Sequence, residues 1–155
     1  MFVGEAPGSV EDQVGEPFRG LSGRLLDSML RDAGIPEEVC YFTNLLRCRP
    51  LENKLPSNFL ASPCLLFLRR EVTLLKPMYI VSLGGPATEY FLDKRISRLS
   101  LLVGSRFPLS EHTTLIPLFH PSAALRGGGR SSQYYKRNVD LLIPLAGEGG
   151  LHATS

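Results

Sequence analysis

The 155-residue sequence predicts a three-layer α/β/α domain around a central, mainly parallel sheet of four strands. Three observations lead there. Apolar runs of strand length alternate with longer stretches of helical period. The run Met78-Tyr79-Ile80-Val81-Ser82-Leu83 is almost continuously apolar, as in a strand covered on both faces. The length suits one domain, and neither repeat nor internal linker interrupts it. The domain is expected over 1–146, with a disordered tail over 147–155.

Taken in order, Met1-Phe2-Val3 reads as the end of a first strand, followed by the turn Gly4-Glu5-Ala6-Pro7-Gly8. Three residues are few for a central strand, which suggests a sequence begun partway through a longer protein. Ser22 is expected to cap a helix with Leu25, Leu26, Met29, Leu30 and Ala33 inward, Gly34 ending it and Pro36 beyond. Val39 to Thr43 is rich in β-formers and gives a second strand with Asn44 at its carboxyl end. Pro50, Pro56 and Pro63 mark Arg47 to Pro63 as a long loop. Leu65 to Leu75 has helical spacing and stops before Pro77. The third strand, Met78 to Leu83, turns at Gly84-Gly85 into a short helix, Ala87 to Leu92. Residues 94–112 look irregular. Thr114 to Phe119 forms the fourth strand, and Ser131 to Leu142 the last helix after a glycine-rich loop.

Bulk properties narrow the function classes. Hydrophobic content of 43% and charge of 21% describe an ordered globular chain. A net charge of +2 permits a nucleic-acid partner without arguing for one. No apolar run approaches the roughly 20 residues of a membrane span, and no signal peptide stands out. Three cysteines without a secretory signal point to a reducing compartment, hence a cytoplasmic protein with thiols free or on metal. A monomer without a membrane partner is expected.

Ligands in open α/β folds bind at the carboxyl ends of the strands. Glu5 and Glu11 follow the first strand, Asn44 ends the second and His120 the fourth, with Phe18 nearby in sequence. If these ends converge, a carboxylate pair, an amide, an imidazole and a phenyl ring surround one cavity. An amide reads a base edge with both donor and acceptor. A phenyl ring stacks on a base face, worth roughly 1–3 kcal/mol. A carboxylate holds a water or stabilises an oxocarbenium ion, and an imidazole stabilises an anionic leaving group. The parts suit removal of a nucleobase from its sugar, though composition alone does not select that over other hydrolyses.

The residues then carry a family resemblance. Gly4-Glu5-Ala6-Pro7-Gly8, Glu11-Asp12, Gly15, Pro17-Phe18, Gly20 and Ser22-Gly23 resemble the first motif of the family-four uracil-DNA glycosylases. Thr43-Asn44 with Cys48-Arg49-Pro50 resembles the second block. Lys76-Pro77, Ile80-Val81 and Leu83-Gly84 resemble the third, and His120-Pro121-Ser122 with Leu125-Arg126 the closing motif. Four ordered blocks are a far stronger signal than any one.

The resemblance implies that Glu5 places or activates the water; Glu11 lies near the base, and sequence does not separate the two. It implies that Phe18 stacks on a flipped-out uracil, Asn44 reads its polar edge, the backbone at Ala6 lines the pocket, and His120 donates to a uracil oxygen. In the best-known branch of the superfamily an aspartate stands at the position of Ala6, so its absence puts more weight on Glu5. The implied partner is uracil-containing DNA. Ser122 to Arg130 would be a minor-groove loop with Leu125 as wedge and Arg126 and Arg130 on phosphates.

Cys48 and Cys64, fifteen residues apart, resemble two of the four ligands of the family's [4Fe-4S] cluster. The other two come from an upstream Cys-x-x-Cys that this sequence lacks, so cluster binding is an open expectation. Cys40, expected in mid-strand, is a poor substitute, and Leu60 replaces a usual glutamate. The alternative to a glycosylase is an inactive uracil-DNA-binding relative; a changed base preference, such as hypoxanthine, is a third.

Overall fold

The computed structural model describes residues 1–57, 59 and 62–148. Leu60, and positions 149–155 of the expected tail, lie outside them. A five-stranded sheet runs in the order β2-β1-β3-β5-β4. The strands are β1 (Phe2–Gly4), β2 (Phe42–Asn44), β3 (Tyr79–Leu83), β4 (Phe107–Pro108) and β5 (Thr114–Leu118). β1 pairs in parallel with β2 and β3, and β3 with β5, while β4 lies antiparallel on β5. The expected α/β architecture is therefore present, with one strand more than the four expected. That strand is a two-residue edge within the stretch read as irregular. So short a segment has no periodicity of its own; pairing with β5 defines it.

The α-helices among the described residues are α1 (Ser9–Val14), α2 (Leu21–Ala33), α3 (Cys64–Leu75), α4 (Gly85–Leu92), α5 (Pro121–Arg126) and α6 (Gln133–Glu148). Their apolar faces make two cores, one on each side of the sheet. Leu25, Leu26, Met29 and Leu30 of α2 join Tyr135, Leu142 and Leu145 of α6 against Phe2, Val81 and Ile116. Opposite them, Leu65 and Leu68 of α3 and Ala87 of α4 meet Val3, Ile80 and Leu115. Alternate residues of β1, β3 and β5 thus feed opposite cores, which is why these strands are mostly apolar on both faces.

Several boundaries differ from expectation for local reasons. α2 starts one residue before Ser22, with Gly20 at its N-cap. A 3-10 turn occupies Glu37–Val39, so β2 begins only at Phe42 and Cys40 lies outside it. Glu11 sits in helix α1 rather than in a turn. Ser122 to Arg126 is helical rather than loop, with Pro121 at the first turn and His120 capping it through its own ring. α6 continues through Pro144 to Glu148, where Glu148 ion-pairs with Arg106 at 2.8 Å, so 147 and 148 are helical rather than tail.

Candidate active site

The chain leaves β1 toward β2 on one side and β3 on the other, so the sheet's order reverses at β1. Such a switch point opens a crevice beyond the strand ends. Register aligns Gly4 with Asn44, and Gly84 caps the adjacent end of β3. Four carboxyl ends therefore stand in a row, carrying Asn44, Gly4-Glu5, Gly84 and Phe119-His120. At about 4.8 Å per strand the row spans roughly 14 Å.

Gly4 is where the first two side chains meet. A Cβ built there would lie 2.5 Å from Asn44 Oδ1 and 2.8 Å from Phe18 Cζ. The missing side chain is thus the space between the Asn44 amide and the tip of the Phe18 ring. Asn44 is only 7% exposed. Among the described residues its side-chain amide makes no hydrogen bond. Phe18 packs on Phe42 at 6.0 Å and adopts φ 57°, a left-handed conformation costing a bulky residue about 1–3 kcal/mol. Gly23 in α2 accommodates it, because any side chain there would collide with the Phe18 carbonyl. If this space takes a uracil, as the resemblance implies, Gly4→Ala is expected to keep the fold and to abolish uracil binding. Calorimetric titration with uracil-containing DNA, beside a melting curve, checks both halves.

Glu11 has a different job from that of a free carboxylate. Oε2 accepts the Gly8 N–H at 3.1 Å and Oε1 the Gly20 N–H at 2.6 Å. One carboxylate thus ties both ends of the segment carrying Phe18. It reaches back to the helix cap as in a capping box. Glu11→Ala leaves two partly buried N–H groups unpaired and is expected to destabilise the fold by about 1–3 kcal/mol in urea unfolding. Glu5 contrasts with it. Among the described residues its half-buried carboxylate has no hydrogen-bond or ion-pair partner, and burial pushes its pKa up. Its backbone carbonyl accepts the Leu46 N–H at 3.0 Å, which fixes the main chain beside it. Ala6 is half-buried next to it.

His120 packs over the end of β3, its Cβ 3.3 Å from the position a Gly84 Cβ would take. Its Nδ1 accepts the Ser122 N–H at 3.1 Å and lies 2.8 Å from Ser122 Oγ. A backbone N–H can only donate, so Nδ1 is the acceptor and the ring proton resides on Nε2. Burial, helped by the charge of Arg126, pulls the pKa down to about 4. The imidazole is therefore neutral at physiological pH, with one N–H to offer.

A cleft of about 180 Å³ opens beside Asn44, lined among others by Pro7, Glu11, Pro17, Thr43 and Arg47. Glu5, Phe18 and His120 do not line it, so the expectation of one cavity among all five side chains is met only for Asn44 and Glu11. Arg47 joins a cluster that no sequence motif announces. Its Nη1 donates to Thr43 Oγ1 at 2.8 Å and its Nη2 lies 2.7 Å from Glu71 Oε1. Thr43 and Tyr41 also donate to Glu71, which ties β2 to α3.

Of the expected DNA contacts, Ser122 is engaged with His120 and Leu125 is half-buried against the core. Arg130 holds Asp32 with contacts of 3.0 and 2.8 Å and lies over the Tyr135 ring. Arg126 is exposed at the end of α5.

Cys48 and Cys64 line a second, mostly apolar cleft of about 380 Å³ with Pro50, Pro56, Phe59 and Pro63. A hydrogen bond with Ser62, and the nearby Arg47, lower the Cys64 pKa and favour the thiolate a metal needs. Among the described residues no three His, Cys, Asp or Glu side chains come together to hold a metal. Cys40 is turned to the Pro36 carbonyl instead. The pair fits half of a four-thiolate site and does not make one by itself.

A family model described as the uracil DNA glycosylase superfamily matches residues 1–142. The chain belongs to that superfamily. Within it, the chain is 37% identical over 126 residues to the type-4 uracil-DNA glycosylase of Thermotoga maritima, covering 81% of this chain and 66% of that protein. It is 35% identical to the type-4 enzyme of Sulfurisphaera tokodaii, of which it covers 60%. For that of Pyrobaculum aerophilum the identity is 32% over 142 residues, covering 88% of this chain and 72% of the relative. These matches put the chain on the type-4 branch of the uracil DNA glycosylases. It spans 60–66% of the length of the first two relatives. No helix among the described residues is long and apolar enough to cross a membrane.

Proposed function

We propose that this chain is the catalytic domain of a glycosylase that hydrolyses the N-glycosidic bond of uracil in DNA and leaves an abasic site. The observation carrying the reading is the meeting of the Asn44 amide, without a hydrogen bond among the described residues, and the Phe18 ring over the side-chain-free Gly4. The target nucleotide leaves the stack to reach it. Asn44 reads the polar edge, offering a donor to a uracil carbonyl and an acceptor to its N3–H. Phe18 stacks on the face, and the Ala6 backbone borders the base.

As the C1′–N1 bond breaks, its electron pair moves onto the uracil ring and positive charge builds on the sugar. The Nε2–H of neutral His120 donates to the uracil oxygen gaining charge. The carboxylate form of Glu5, which has no partner among the described residues, holds the water, offsets the sugar's charge and takes the water's proton as the new C–O bond forms. Glu11 serves as a positioning residue, because both its oxygens are bonded to main-chain N–H groups. On the DNA side Arg126 is the cation for phosphate and Leu125 the wedge beside it. Arg130 would exchange Asp32 for a phosphate or stay a brace. Cys48 and Cys64 would supply half of an iron–sulfur cluster; such a group would brace the Arg47–Cys64 segment, and no step of the hydrolysis runs through it. The other two thiolates would have to come from outside this sequence.

The test is incubation of purified protein with a uracil-containing oligonucleotide. Free uracil plus an alkali-labile site supports the reading. Tight binding with no base released, however long the incubation, leaves a uracil-DNA-binding relative.

A further inference from the structure

Asn138 sits in the middle of α6 with none of its surface exposed. It occupies the apolar stripe of that helix, in step with Tyr135, Leu142 and Leu145. A fully buried amide in such a row must find partners for both ends. Apart from a long contact of Nδ2 with Met29 Sδ at 3.7 Å, it finds them on one residue. Its Nδ2 donates to the Phe119 carbonyl at 2.8 Å, and its Oδ1 accepts the Phe119 N–H at 3.2 Å. The side chain thus pairs with a main-chain residue as a neighbouring strand would, just beyond the end of β5. The next residue is His120. The Phe119 ring is held as well, edge-on to Tyr134 with centroids 4.8 Å apart.

We infer that Asn138 is a positioning residue for His120. By fixing both main-chain groups of Phe119, it sets the direction in which the imidazole leaves the sheet and keeps its Nδ1 on Ser122. The inference rests on the reading of His120 as donor to the departing base. Among the described residues the chain beyond β5 has no strand partner at Phe119, the pairing with β3 ending at Leu118, and without the amide the peptides flanking it could rotate. Rotation would carry the ring off Gly84 and away from the base. A displacement near 1 Å can cost up to roughly 100-fold in rate.

The experiment uses Asn138→Ser and Asn138→Leu, with Leu145→Ala as a control for lost packing on the same helix. Single-turnover uracil release is expected to fall about 10- to 100-fold in both Asn138 variants. Affinity for uracil-containing DNA should be unchanged, and Leu145→Ala should keep its rate at temperatures where it is folded. ¹⁵N imidazole spectra of the wild type should show His120 as a single Nε2–H form, and those of the variants a mixture. Rates equal to the control together with an unshifted tautomer would overturn the inference. If the wild type releases no uracil, the glycosylase reading fails, while the imidazole spectra still decide whether Asn138 positions His120. If both variants unfold, amide exchange in the wild type decides: a Phe119 N–H protected like the core strands supports the pairing, and loop-like exchange overturns it.

Discussion

Replacing His120 by Asn is expected to slow uracil release about 10²- to 10³-fold, the usual loss when one donor to a developing oxyanion is removed. Asn is the informative choice because it can still cap α5, a role His120 performs through Ser122. A plain loss of folding is thereby separated from a loss of chemistry. The pH dependence follows from burial. With a pKa near 4, the ring is neutral across the range in which an ordinary histidine titrates. Wild-type release should therefore show no inflection near 6.5 belonging to this residue. Stability moves as well. The unfolded chain binds a proton at His120 below about 6.5 and the folded chain only below about 4. The stabilisation is thus complete above 6.5 and lost as pH falls through that window, to an extent of roughly 3 kcal/mol. In His120→Asn this part of the slope should vanish, which urea midpoints at pH 4, 5, 6 and 7 would reveal.

The sheet is legible where a strand's own residues demand it. Met78 to Leu83 and Thr114 to Phe119 are apolar on both faces because each feeds two cores. The carboxyl end of the latter can be found, and with it His120, while Asn44 follows the β-forming run that marks the second strand. What sequence does not reveal depends on partners distant along the chain. Glu11 resembles a second catalytic acid because nothing local shows that the N–H of Gly20 takes one of its oxygens. Arg130 looks free for phosphate because Asp32 is 98 residues away. β4 exists only as a neighbour of β5. Asn138 does leave a trace, a polar residue in register with Tyr135 and Leu142. Such a break in an apolar stripe signals a buried amide that must be paired by main chain from another element. The tautomer of His120 is out of reach, since it depends on the fold of the turn at Ser122.

The opposite behaviour is expected of Glu5, where chemistry and stability should part. Its carboxylate is half-buried without a partner among the described residues, and burial raises its pKa. A raised carboxyl pKa means that the folded state holds its proton to higher pH than the unfolded one. Stability from this group is present at low pH and falls as pH rises through the raised value. Once ionised the group is therefore a burden on the fold, a cost that the role proposed for it with the water and the sugar would explain. Glu5→Gln keeps the shape and removes the charge. Uracil release should drop by at least about 10³-fold, since both the proton acceptor and the counter-charge go. The melting temperature near pH 7 should hold or rise, and uracil-DNA affinity should persist because Asn44 and Phe18 are untouched. A Glu5→Gln protein that melts earlier and still releases uracil would remove this residue from the chemistry and leave the water without its base.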